Sequence, residues 1–207
     1  MFKTTLDRYD NAWYQPGKSA FIRVLWYFVN SLFFQSSLFP INGLKVQLLR
    51  LFGAQVGQGV IIKPSVTIKY PWRLCIGDHA WIGEKAWIDN LADVHIGSHV
   101  CISQGAMLLT GNHHYKRPTF DLLLGSIVLE NGAWIGAKAV VCPGVTAGSH
   151  SILSVSSVAT TSLEPYTIYQ GNPASAKKSR IPVDIPHRVP TTRAVCEESI
   201  PHAQPYR

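Results

Sequence analysis

From Val56 onward an aliphatic side chain returns at every sixth position: Val56, Ile62 and Ile68, then Ile76, Ile82 and Ile88, then Ile96, Ile102 and Leu108. The spacing slips by two residues between these triplets, after Arg73 and after Asp93. Following an interruption the pattern resumes at Leu129 and runs through Ile135, Val141, Ala147, Leu153 and Ala159. A helix repeats near 3.6 residues and an open strand near 2, so neither accounts for this period. A unit of this length reads as a short strand and a tight turn, and three units close a triangular coil. The aliphatic residue points inward and stacks on its equivalent one coil away. Each coil buries its apolar face only against its neighbours, so several must stack. Gly follows the aliphatic residue at 57, 77, 83, 97, 136 and 148, where its tolerance of unusual backbone angles is expected to serve the corner. Four residues after the aliphatic one the side chain is small, as at Ala80, Ala86, Ala106, Ala133 and Ala139. The slips predict bulged corners that leave the stack intact.

Both ends depart from the pattern. Ala20 to Leu44 carries one charge, Arg23, among Phe, Trp, Tyr, Leu and Val. About 20 apolar residues would cross a bilayer, but Asn30, Ser31, Gln35, Ser36, Ser37, Pro40 and Asn42 interrupt this run. It reads as one or two helices beside the coil. Leu44, Lys45, Leu48, Leu49 and Arg50 suggest a further amphipathic helix ending at Gly53. After Pro173 the repeat stops, leaving a basic cluster of Lys177, Lys178 and Arg180 and then an extended tail with Pro182, Pro186, Pro190 and Pro201. The organisation is therefore an N-terminal helical segment (1–53), an all-β parallel β-helix (54–171) with an extruded loop at 114–128, and a C-terminal extension (172–207).

Charged residues make up only 15 % of the chain, low for a solvated surface, so other subunits or a membrane are expected to cover part of it. Flat-faced triangular coils that enclose no pocket alone suggest a homotrimer with sites between coils. The net charge of +7 suits an anionic partner. No Lys/Arg run or RNA-binding signature is present, which argues against nucleic acid. Cys75, Cys101, Cys142 and Cys196 show no metal or disulfide spacing and read as reduced thiols of a cytosolic protein, with Cys101 and Cys142 in core packing. The opening MFKTTLDRYD lacks the apolar stretch of a signal peptide.

Ile76 to Gly83 (I-G-x-x-A-W-I-G), Ala133 to Ala137 (A-W-I-G-A), Val141 to Thr146 (V-C-P-G-V-T) and Gly171 to Ala174 (G-N-P-A) resemble the hexapeptide-repeat acyltransferases. Within them the chain is most similar to the colanic-acid-type exopolysaccharide O-acetyltransferases, up to about Lys178. The resemblance implies a left-handed coil, acetyl-CoA as donor, no metal, and a sugar or lipid-linked saccharide as acceptor. The cysteines and the opening sequence place the chain in the cytoplasm, and the Phe, Trp, Tyr and Leu of Ala20 to Leu44, with Lys45 and Arg50, leave two readings of residues 20 to 52: packing on the coil and between subunits, or holding the enzyme at the inner face of the membrane without spanning it.

Among the histidines, His150, His187 and His202 fall in turn or tail contexts, and His79, His95 and His99 at corners. His113 closes the unit begun at Leu108, just before the repeat breaks, and extruded loops on rigid scaffolds are where sites are built. Leu109-Thr110-Gly111-Asn112-His113 also resembles the family's catalytic motif, whose register selects His113 over His114. A sugar hydroxyl attacking a thioester needs one base that works near neutral pH and an N–H donor for the oxyanion. An acid is expected to orient the imidazole, with Asp89, Asp121 and Glu130 as candidates. The resemblance assigns the oxyanion donor to Ala137, after Trp134-Ile135-Gly136. On the acceptor side it suggests Asp89, Asn90, Glu84 and Trp87, with His114 beside the base. Trp81 and Trp87 either stack on a sugar or pack between subunits. For CoA it implies Trp134, Ala137, Val155, Thr160 and Lys178, with Lys177, Lys178 or Arg180 gripping phosphates. Thr161 and Ser175 stand where relatives carry a lysine and an arginine.

Three other readings compete: transfer to a different small hydroxyl compound, a scaffolding module with a dead site, and a metal-dependent hydratase like the gamma-class carbonic anhydrases. The last needs three converging imidazoles, and the nearest pair here is His95-x3-His99.

Overall fold

The structure is a computed structural model and describes residues 3–181. Cys196, His187, His202 and the proline-rich tail lie outside the described residues.

The fold is a left-handed parallel β-helix of about 6 turns. Its first face stacks Gln55–Val56, Leu74–Ile76, Val94–Ile96, Ile127–Leu129 and Thr146–Ala147. The second face stacks Ile61–Ile62, Trp81–Ile82, Cys101–Ile102, Trp134–Ile135, Ile152–Leu153 and Thr167–Gly171, the last turning back antiparallel through Ala174–Ser179. The third face stacks Thr67–Ile68, Trp87–Asp89, Met107–Leu109, Val140–Val141 and Val158–Ala159. Every repeated aliphatic residue sits in one of these strands, and all but Val56 are buried. Each fully buried Ile or Leu contributes about 1.5–3 kcal/mol of transfer free energy. The slips become a short 3-10 turn at Pro71–Arg73 and a bend at Leu91 and Ala92. The ladder continues through both, with Cys75 paired to Gln55 on one side and His95 on the other.

The corners work differently from the expectation. The residue in the left-handed region is the third after the aliphatic one: Gly59, Ser65, His79, Lys85, His99, Gly105, Gly132, Lys138, Gly144, His150 and Ser156 all have φ between 55° and 79°. Most of these are not glycine, and each L residue held there costs about 1–2 kcal/mol. The glycine directly after the aliphatic residue answers a question of space. A Cβ on Gly77 would lie 2.5 Å from the Ser98 nitrogen, and one on Gly136 2.6 Å from the Val155 nitrogen, so the next coil's backbone occupies that room.

An open β-helix end exposes unpaired N–H and C=O groups, and the N-terminal helices cover it. Helix α1 (Ala20–Val29) begins at Ser19, whose hydroxyl accepts from the Ile22 N–H, and runs into a π-helical turn, Asn30–Phe34. Helix α2 (Asn42–Leu51) follows. The Trp26 indole donates to the Ile68 carbonyl, and the Asn30 side chain accepts from the Ile68 N–H. Asn42 pairs with both the Val60 carbonyl and the Ile62 N–H, and the Lys45 ammonium donates to the Lys63 carbonyl. Trp26, Phe34 and Leu49 plug the coil's end. No helix among the described residues is long and apolar enough to cross a membrane.

The outward side chains differ by face. Ile61, Trp81, Cys101, Trp134, Ile152 and Ile168 form an apolar ladder on the second face, and Trp87, Met107, Val140 and Val158 one on the third. The first face presents Gln55, Cys75, His95, Val128 and Thr146. Cys101 therefore points out of the coil instead of into its core, and His95 lies within a strand, not at a corner. Cys142 does pack against the core, and burial pushes its thiol up.

Candidate active site

Between the third face and the first, the chain leaves the coil as a hairpin, Gly111–His113 against Leu122–Leu124. It resumes the stack at Ile127, two residues inside the span read from the repeat. Thr110 fastens the base. It is buried, its hydroxyl donates to the Asp89 carbonyl at 2.9 Å and accepts from the Ala92 N–H at 3.0 Å. Gly111 comes next because a Cβ there would lie 2.8 Å from a Leu91 methyl group. The Asn112 side chain accepts from the His113 N–H. Thr110-Gly111-Asn112-His113 is thus a device for leaving the coil at a fixed angle with an imidazole at its end.

His113 Nδ1 lies 2.9 Å from the Phe120 carbonyl oxygen. A carbonyl can only accept, so Nδ1 carries the proton and Nε2 is left as the basic nitrogen. The Phe120 ring stacks on the imidazole at 4.5 Å and 10°. The orienting group is this carbonyl and none of the three acids expected for it. Asp89 pairs with Lys69 at 2.9 Å, Asp121 with Arg117 at 2.9 Å, and Glu130 accepts from the N–H and hydroxyl of Ser149. The Thr119 hydroxyl and the Arg117 guanidinium hold the Asp121 carboxyl below its usual range.

A strap at the N-terminus completes the surroundings, and the repeat gave no sign of it. The Thr5 N–H donates to the Pro118 carbonyl in the hairpin, the Tyr14 hydroxyl to the Leu91 carbonyl, and the Trp72 indole to the Pro16 carbonyl. Tyr9 sits 5.8 Å from the His113 ring. A cavity of about 540 Å³ is lined by Tyr9, Asn11, Tyr14, Arg23, Lys69, Tyr70 and His113. Burial, reinforced by Tyr70 and Asp89 against Arg73 and Arg23, pushes the Tyr14 phenol up to about 12, so it stays a donor. The aromatic cluster Tyr9, Trp13 and Tyr14 in an otherwise polar segment was the available signal. A neighbouring cavity of about 530 Å³ lies under α1, with Trp26, Tyr27, Trp87 and Asp89 in its wall. Arg23, Lys69 and Tyr70 line both.

Asp89 and Trp87 therefore stand one cavity away from His113. Asn90 is buried, and its amide serves the Tyr70 N–H and the Tyr70 and Arg73 carbonyls, so it fastens the Arg73 corner and does not reach the cavity. Glu84 is exposed at a corner of the coil, and the His114 N–H donates back to the Asp121 carbonyl. The donor-side candidates lie elsewhere on the coil. Trp134 is on the second face, its indole donating to the Ser103 hydroxyl at 2.9 Å. Ala137 and Val155 share the corner that follows, where the Ser156 N–H donates to the Ala137 carbonyl at 2.9 Å. Thr160 follows the last strand of the third face, and Lys177 and Lys178 are exposed on the antiparallel return. Nη1 of the Arg180 guanidinium donates to the Gly132 and His150 carbonyls. Among the described residues none of these lines either of the two cavities bordered by His113.

Among the described residues the other imidazoles do not converge. His79 and His99 stack at 5.2 Å along one corner, with His150 stacked on Tyr166 further up the same corner. Among the described residues no group of three or more His, Cys, Asp or Glu could hold a metal ion.

No family model matches the chain. Individual relatives do. WcaF of Escherichia coli strain K12, assigned as a colanic acid biosynthesis acetyltransferase, is 36 % identical over 157 residues, covering 76 % of this chain and 86 % of WcaF. The chain belongs to the hexapeptide-repeat acetyltransferases. The E. coli galactoside O-acetyltransferase is 30 % identical over 129 residues, 61 % of this chain and 64 % of that one. A hexapeptide-repeat acetyltransferase of Vibrio cholerae, solved with acetyl-CoA, superposes with a TM-score of 0.71 at 26 % identity, over 80 % of this chain and 92 % of that one. The enzyme is an acyltransferase.

Proposed function

We propose that the enzyme transfers an acetyl group from acetyl-CoA directly to a hydroxyl of a saccharide, in the biosynthesis of an exopolysaccharide or other surface polysaccharide, with His113 as general base. The observation that carries this reading is the Nδ1–Phe120 contact, which leaves Nε2 free beside a cavity of polar and aromatic side chains. Nε2 takes the hydroxyl proton as the oxygen attacks the thioester carbon. The tetrahedral oxyanion then collapses, the carbon–sulfur bond breaks, and the imidazolium returns its proton to the departing thiolate. No acyl-enzyme is needed. Tyr9, Asn11 and Tyr14 line the acceptor cavity with groups that can bond sugar hydroxyls, and ring faces on which a sugar packs.

The donor side requires a second copy. The Ala137 N–H as oxyanion donor, with Trp134, Val155, Thr160, Lys177 and Lys178 along CoA, sits away from His113 in one chain. The two apolar outward ladders supply contact surfaces, and a rotation that closes by joining one face to a different face gives a ring. We read that ring as a homotrimer with three sites between subunits, placed in the cytoplasm at the inner face of a membrane. The test is release of CoA thiol from acetyl-CoA over a panel of saccharides and small alcohols. Acceptor-dependent release with a saccharide, lost in His113→Ala, is expected. Release only with non-sugar alcohols would redirect the acceptor, and no release with any acceptor would contradict the reading.

A further inference from the structure

The end of the β-helix that the N-terminal helices close has two unlike surfaces. The inner one is spent on capping the coil. The outer one carries a row of large apolar side chains at helical spacing along α1 and its π-helical extension: Phe21, Leu25, Phe28 and Leu32, of which Phe21 is 74 % and Leu32 64 % exposed. Leu38 and Leu51, exposed by 90 % and 78 %, stand at the same end of the coil. Leu25 and Leu51 share a shallow groove between the two helices, with Lys18 at its edge, so the row on α1 and the end of α2 form one patch.

Charge singles out the same end. From Asn11 to Gly77 the sequence contains no Asp or Glu, and it contains Lys18, Arg23, Lys45, Arg50, Lys63, Lys69 and Arg73. Lys69 and Arg73 are partnered by Asp89 and Asp93, which belong to the next coil, and Lys45 is buried. Lys18 remains exposed at the edge of the apolar patch, whereas the Arg50 guanidinium donates to the Val56 and Gly57 carbonyls. A contiguous apolar surface on helices that carry no acid, with Lys18 at its edge, matches an anionic bilayer: aromatic and aliphatic side chains enter the acyl boundary while the ammonium meets headgroups. A protein partner would need complementary acids, and the same helices of a second copy supply none, so self-association through them would oppose like charges.

We infer that this capped end docks on an anionic lipid surface, with Phe21, Leu25, Phe28 and Leu32 inserted and Lys18 at the headgroup level. The coil then stands end-on to the bilayer. This gives a specific surface to the membrane location proposed above, and it is independent of the chemistry assigned to His113.

The test is flotation of the full chain with vesicles of phosphatidylglycerol and phosphatidylethanolamine, against vesicles of phosphatidylcholine. The double variant Phe28→Glu/Leu32→Glu alters only exposed side chains outside both cavities. Wild type is expected to float with the anionic vesicles and the variant to bind ~10-fold less. High salt should weaken binding without abolishing it, since the apolar part is not screened. The elution volume and acetyl-CoA affinity of the variant should match wild type, which separates this inference from the reading of the active site. Equal flotation of both proteins, or none with either vesicle, would overturn it. A change of oligomeric state in the variant would overturn it too, by assigning the patch to contact between copies.

Discussion

The imidazole of His113 is held by the backbone of Phe120: Nδ1 lies 2.9 Å from that carbonyl oxygen, and the two rings stack at 4.5 Å. Both residues belong to the hairpin, so the imidazole and its orienting group move as one unit. The arrangement needs no carboxylate, because a fixed carbonyl selects the same tautomer without adding a charge. Asp121→Asn is therefore expected to leave kcat within about 3-fold, whereas Phe120→Ala, which keeps the carbonyl but removes the ring stacked on the imidazole, lowers it about 10-fold with the KM for acetyl-CoA unchanged. Steady-state kinetics on both variants checks this. A larger loss in Asp121→Asn would restore an acid to the orienting role.

Thr110 ties the hairpin to the coil before it. Thr110→Val keeps the shape and removes both hydroxyl bonds, leaving the Ala92 N–H without its acceptor. A loss of about 1–3 kcal/mol in denaturant unfolding is expected, accompanied by lower kcat as the angle of the hairpin loosens. Full activity in a destabilised protein would show that the hairpin holds its angle without this fastening.

The corner glycines are defined by contact with the next coil. Gly77→Ala would place a Cβ 2.5 Å from the Ser98 nitrogen and 2.7 Å from the Gly97 carbonyl carbon, both backbone atoms. Destabilisation of about 2 kcal/mol or more follows, as for other overpacked interiors. By contrast His79→Gly relieves a left-handed residue at φ 56°, and costs less because only the stacking on His99 is lost. Thermal unfolding of the two variants gives the order, and the reverse order would contradict this account of the corners.

Burial lowers the pKa of the Lys45 ammonium below its ordinary 10.5. The folded state therefore binds that proton less tightly than the unfolded chain. The cost of the buried charge is fully present below the folded pKa and is relieved as pH rises toward 10.5. Lys45→Met removes the titration while keeping most of the buried stem. The stability of wild type relative to Lys45→Met should rise with pH in the alkaline range, read from chemical unfolding at several pH values. A difference that stays flat or falls with pH would contradict this assignment.

The repeated aliphatic positions from Val56 to Ala159 were legible because inward stacking imposes a period that no helix or open strand shares. Helices over 20–52 were legible from apolar spacing. What they do was not, because Trp26, Asn30, Asn42 and Lys45 act through contacts with Ile68, Val60, Ile62 and Lys63, distant in sequence. His113 stood out because the repeat breaks after it. Its orienting group did not, because a carbonyl has no residue identity to read. The strap of Tyr9, Asn11 and Tyr14 stayed hidden for a related reason: it lies outside the repeat and reaches the hairpin only in three dimensions. The left-handed corners were misplaced by two residues because glycine was read as a conformational marker where it marks close approach.

The central claim is that His113 is the general base. The most direct measurement is kcat for acetyl transfer in His113→Ala and His114→Ala, together with acetyl-CoA affinity for each. A loss of at least ~100-fold in kcat is expected for His113→Ala with affinity nearly intact, and near wild-type kcat for His114→Ala. A damaging His114→Ala beside an active His113→Ala would contradict it.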